Sequence, residues 1–89
     1  MKAFKDLVFV DHPISKTYPG HKWSRMEFDN CYGISVVFGN MFYSNGINTY
    51  EAAVLFNGGI TYNTHITDDV KGHLSEEEVT EMMKQIQKL

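Results

Sequence analysis

Asn48-Thr49-Tyr50-Glu51-Ala52-Ala53-Val54-Leu55-Phe56-Asn57-Gly58-Gly59-Ile60-Thr61-Tyr62 alternates, breaks, and alternates again. Tyr50, Ala52, Val54 and Phe56 recur at every second position, the period of a strand with one buried face. Ala53 and Leu55 occupy the other face, which is therefore apolar in part. Asn57-Gly58-Gly59 interrupts the run with residues that accept a positive φ, and Ile60 and Tyr62 resume it. The stretch reads as a β-hairpin over 50–62, and the flanking chain reads as its cover.

Upstream, Trp23 to Phe28 carries Met26 and Phe28 on one side and Arg25 and Glu27 on the other. Asp29-Asn30-Cys31-Tyr32-Gly33 has turn chemistry, with Asn30 and Gly33 the expected positive-φ positions. Ile34, Val36 and Phe38 then alternate with Ser35 and Val37, so residues 23–39 read as a second hairpin. Residues 4–10 read as a short strand, with Leu7 and Phe9 on one face and Val8 and Val10 on the other. Asp11-His12-Pro13 ends it, because proline restricts its predecessor and donates no ladder bond. Residues 14–22 read as a surface loop.

Downstream, residues 63–73 are a polar crossover with Ile66 and Val70 as apolar pegs. A helix is expected over 75–89. Ser75 and Glu78 make a capping box, and Leu74 and Val79 have the spacing of a hydrophobic staple. Val79, Met82, Met83, Ile86 and Leu89 form one apolar stripe. Glu76, Glu77 and Glu78 lie at the positive end of the helix dipole, and Lys84 and Lys88 near the negative end. The expected fold is α+β: an antiparallel sheet of four to five strands built from hairpins, with the C-terminal helix on the face carrying Val36, Val54 and Phe56.

A chain of 89 residues holds one core, and 43% hydrophobic residues with 13% aromatics can fill it. Cys31 is the only cysteine, which excludes an internal disulfide and a multi-cysteine zinc site. Met1 to Asp6 has no apolar run of signal-peptide length, and no run is long enough to span a bilayer, so a cytoplasmic location is expected. With 8 basic and 11 acidic residues and a net charge of -3, binding nucleic acid through a basic face is disfavoured.

Four groups of residues invite a functional reading. His65, Asp69 and His73 have side chains that bind divalent metals, but Gly72 and the Ser75 cap argue against the helix that would align them. Asp68 and Asp69 read more simply as turn residues bonding nearby backbone N–H groups. Cys31 could act as a nucleophile beside His12 or His21, with nothing in view to orient the base. The acidic stretch 68–81 reads as a helix start, and less simply as an imitation of nucleic-acid phosphates. The most informative group is Met41, Phe42, Tyr43 and Ile47. They are large and apolar in a segment, 39–49, that two glycines and three asparagines mark as irregular. They either dock a partner or seal the end of the core.

Phe28-Asp29-Asn30-Cys31-Tyr32-Gly33-Ile34-Ser35-Val36-Val37 resembles the FDNGYGxSVV segment of a family of small bacteriophage and prophage proteins. Tyr50 to Leu55 with Asn57-Gly58, and Ile66 to Leu74 followed by Glu77-Glu78-Val79, fit the same pattern. Cys31 stands where the family has glycine, His65 where it has proline, and His73 where it has an aromatic phenol. The resemblance implies a source rather than an activity. With no convergent catalytic groups in view, the expectation is a non-enzymatic interaction protein without a cofactor. It would bind and modulate a host or phage protein complex through Met41, Phe42, Tyr43 and Ile47, inhibition of a host defence complex being the most concrete form. Self-association through a sheet edge is the structural alternative.

Overall fold

The alternating run over Tyr50–Phe56 forms β4, the strand with the most sheet partners. The computed structural model describes residues 1–67 and 69–89. Among these, β1 is Val10–Asp11, β2 Lys22–Glu27, β3 Tyr32–Phe38, β5 Gly59–Ile60 and β6 Lys71–Leu74; helix α1 is Glu76–Gln87. The strands run antiparallel in the order β1-β2-β3-β4-β5, and β6 also pairs with β4. One edge of β4 takes β3. The other is shared, with β5 bonded to its end at Leu55 and Phe56 and β6 to its start at Tyr50 and Ala52. The arrangement is α+β, as the alternation and the helix stripe predict.

Register explains the core. Ile34 lies opposite Val54, and Val36 opposite Ala52; directly opposed residues share a face. Against that face α1 lays Val79, Met82, Met83 and Ile86, and Leu7 and Ile66 close the sides. Phe56, expected on this covered face with Val36 and Val54, lies at its margin: it is half-exposed and leans on the Tyr32 ring at 4.9 Å. Ala53 and Leu55, on the opposite face, are buried too.

The helix begins as its sequence dictates. The Ser75 hydroxyl accepts from the Glu78 N–H at 3.1 Å, and the Glu78 carboxylate accepts from the Ser75 N–H at 3.0 Å. Its last turn is tied back to the sheet, where the Asn30 side-chain amide donates to the Ile86 carbonyl at 2.9 Å. That bond satisfies a carbonyl left free at a helix end.

The hairpin turn at Asn57-Gly58 has φ of 50° and 85°, the two left-handed residues that a two-residue hairpin loop requires. The other turn corrects the expectation. Cys31, not Asn30 or Gly33, is the left-handed residue, with φ of 71°. Gly33 is instead a buried member of β3, where a Cβ would collide with the backbone carbonyl of Met26. Glycine serves close approach at one site, while a non-glycine carries the strained conformation two residues earlier. Cys31→Gly is therefore expected to stabilise the fold by about 0.5–1 kcal/mol. Relief of the left-handed penalty exceeds the added freedom of the unfolded chain. Urea unfolding of the two proteins checks it.

The N-terminal segment is not the expected strand. Phe4–Asp6 is a turn of 3-10 helix, and only Val10–Asp11 joins the sheet. The reason is that the helix, not the sheet, takes its backbone donors. Phe4 N–H donates to the Thr80 hydroxyl at 3.0 Å and Lys2 N–H to the Gln87 side chain at 2.8 Å. The alternation nonetheless keeps its expected faces: Leu7 is buried and Phe9 half-buried, while Val8 and Val10 are exposed. In the expected loop 14–22, Pro13–Lys16 forms a second 3-10 turn, capped by His12, whose Nδ1 accepts from the Ile14 N–H. No helix among the described residues is long and apolar enough to cross a membrane.

Candidate functional site

Segment 39–49 divides its large apolar residues between the interior and the surface. It is built from small polar side chains that bond its own backbone. The Asn45 side-chain oxygen accepts from the N–H groups of Ile47, Asn48 and Thr49, at 2.9, 2.9 and 3.0 Å. The buried Ser44 hydroxyl donates to the Thr49 carbonyl at 2.6 Å and accepts from the N–H groups of Gly39 and Gly46. Asn and Ser side chains here replace the ladder that an irregular segment lacks.

Two further bonds fasten the segment to the sheet. Tyr43 N–H donates to the Glu51 carboxylate at 3.0 Å, and the Tyr43 carbonyl accepts from the His73 N–H at 2.8 Å. Gly72 permits the second approach, since a Cβ there would strike the Tyr43 side chain.

The inner anchor is His21, only 2% exposed. Its Nδ1–H donates to the Tyr18 carbonyl at 2.6 Å, and its Nε2 accepts from the Met41 N–H at 3.1 Å. A carbonyl only accepts and a backbone N–H only donates, so these partners fix the neutral tautomer with the proton on Nδ1. Phe42 turns inward to the same place, edge-on to His21 at 5.6 Å and to His12 at 5.1 Å. His12 in turn meets Trp23 at 4.8 Å.

The remaining apolar residues point outward: Met41 is 50% exposed, Tyr43 63% and Ile47 79%. Of the four residues singled out from sequence, Phe42 seals the end of the sheet and the other three stand on its surface. They are held on a frame of at least eight polar bonds to or within the segment.

The metal alternative finds no assembly. Among the described residues, no three His, Cys, Asp or Glu side chains come together to hold an ion, so His65, Asp69 and His73 do not form a site. Asp69 behaves as a turn residue, its carboxylate accepting from the Val70 N–H at 2.7 Å. Asp68 lies outside the described residues. His73 takes a left-handed φ of 54° within β6. Cys31 is exposed in its turn; both ring nitrogens of His21, and Nδ1 of His12, are bonded to other partners. The acidic residues Glu76, Glu77 and Glu78 occupy the first turn of α1.

Sequence reasoning missed a group that the fold assembles around Tyr50. Phe4, Phe38 and Phe9 meet its ring at 5.0, 5.4 and 5.8 Å. Burial pushes the Tyr50 phenol above its ordinary value of 10.0, and the Glu76 carboxylate adds to the shift. The raised value favours the protonated phenol in the folded state. Its contribution is fully present below the ordinary phenol range and is lost as pH rises through the raised folded-state value. As pH rises above the ordinary phenol value, the native protein is thus expected to lose more stability than its Tyr50→Phe variant, as read by chemical denaturation.

The chain matches no family model, no curated protein and no solved structure.

Proposed function

We propose that this chain is a non-enzymatic interaction protein. It binds and modulates a host or phage protein complex through Met41, Tyr43 and Ile47. One observation carries this reading: three large apolar side chains stand in solvent on a loop whose backbone is already fixed by Asn45, Ser44 and His21. A rigid loop loses little freedom on docking, and Met and Tyr are enriched at the centres of protein interfaces. The likeness of residues 28–37 and 66–74 to phage and prophage proteins supports the bacterial cytoplasm as the setting. Inhibition of a host defence complex is the most concrete form of the activity.

The test separates docking from folding. Tyr43→Ala with Ile47→Ala is expected to change stability by no more than about 0.5 kcal/mol, since both residues are exposed. The same pair is expected to abolish capture of a stoichiometric partner from host lysate. A partner retained at full yield by the folded double variant overturns the assignment of this surface.

A further inference from the structure

Phe4, Phe9, Phe38 and Tyr50, with Ile47 and Lys22, line an open cup with a volume of 340 Å³. Small-molecule sites begin at about 300 Å³ and are mostly apolar, with a few polar groups that orient the ligand. The cup has that composition. Its wall is four half-buried rings, and among the described residues Lys22 is the single charged side chain in its lining.

The charge arrangement selects among occupants. Lys22 Nζ donates to Asp11 Oδ1 at 2.5 Å, and Asp11 is not part of the lining. An ammonium has three donors, so two remain for an acceptor on the cup side. Glu76 acts on the Tyr50 phenol from α1 and lies outside the lining as well. A cationic ligand would gain from the ring faces but would sit against Lys22. A neutral apolar ligand would leave the lysine donors unused. An apolar body joined to an anionic head uses both the rings and the donors.

We propose that this cup binds a small amphipathic carboxylate, with its aliphatic or aromatic body on the rings of Phe4, Phe9, Phe38 and Tyr50 and its carboxylate on Lys22. The site is independent of the protein-docking reading, although Ile47 belongs to both surfaces.

Hydrocinnamate is the probe, with its amine and alcohol analogues as controls carrying the same body. The full chain is titrated with each while the aromatic carbon–proton NMR signals are followed. Hydrocinnamate is expected to shift the signals of the four rings saturably, and about tenfold more tightly than the amine, a gap of about 1.4 kcal/mol. Lys22→Met keeps the stem at an exposed position; it is expected to weaken hydrocinnamate about fivefold and leave the alcohol unchanged. Asp11→Asn removes the competing acid and is expected to tighten hydrocinnamate or leave it unchanged. Shifts that do not saturate or lie outside the cup, an amine that binds as well as the acid, or an indifferent Lys22→Met overturn the proposal. So does an Asp11→Asn variant that weakens binding as much as Lys22→Met, because the ion pair would then merely hold β1 to β2.

Discussion

Gly39→Ala is expected to destabilise the protein by about 2–6 kcal/mol, because two separate penalties fall on one atom. Gly39 has φ of 132°, a conformation that L side chains rarely adopt. Strain of this kind costs on the order of 1–3 kcal/mol. A Cβ there would also lie inside contact distance of the His21 ring. His21 cannot give way: its ring is bonded on both sides, by Tyr18 and Met41. Its backbone is held as well, with Ser15 Oγ accepting from the His21 N–H and donating to the His21 carbonyl. Overpacking a fixed site adds roughly 1–3 kcal/mol. Gly46→Ala is the internal control. Gly46 also has a positive φ, 71°, but its nearest neighbour is Asn40 N at an ordinary 3.5 Å. That variant is expected to cost only about 1 kcal/mol. Urea unfolding of both variants decides the matter. Equal losses would mean that the packing of His21 against Gly39 does not hold the 39–49 segment in place.

The loop and the fold differ in how far the sequence discloses them. β4, its turn and α1 were legible because each rests on a local rule: alternation, two residues tolerant of positive φ, a capping box over a stripe. β6 was not legible. Lys71-Gly72-His73-Leu74 has no alternation to read, and its place in the sheet is set by β4, whose outer edge β5 leaves half uncovered. The N-terminal segment shows the converse. Its alternation is real, yet Thr80 and Gln87, more than seventy residues away, hold its backbone and keep it out of the sheet. The apolar residues of the 39–49 segment mark it as unusual in the sequence. Which of them face inward depends on His21, a residue that its surroundings marked only as part of a loop. The aromatic cup was invisible for the same reason. Phe4, Phe38 and Tyr50 come from three different elements, and no spacing in the chain announces that they meet.

Burial sets the second large effect. Met83→Ala is expected to cost about 2–5 kcal/mol, against a total stability of about 5–15 kcal/mol for a domain of this kind. Met83 is fully buried, at 0% exposure, in the layer where α1 meets Ile34, Val36 and Val54. The cost combines lost transfer energy with the cavity left behind, and the rigid strands on one side limit collapse into it. Met82 can relax in part, because methionine is flexible, which places the expected loss below the top of that range. Met83→Leu nearly conserves volume and is expected to cost less than about 1.5 kcal/mol. Met41→Ala supplies the decisive comparison. It removes the same side chain, but from a position 50% exposed on the 39–49 segment. The change there is expected to stay within about 0.5 kcal/mol. The pair therefore divides one residue type between two tasks, and urea unfolding reads the division directly. Met83 should govern whether the chain folds, and Met41 should matter only when a partner is present. A Met41→Ala loss as large as that of Met83→Ala would place Met41 in the core and remove it from the proposed docking surface.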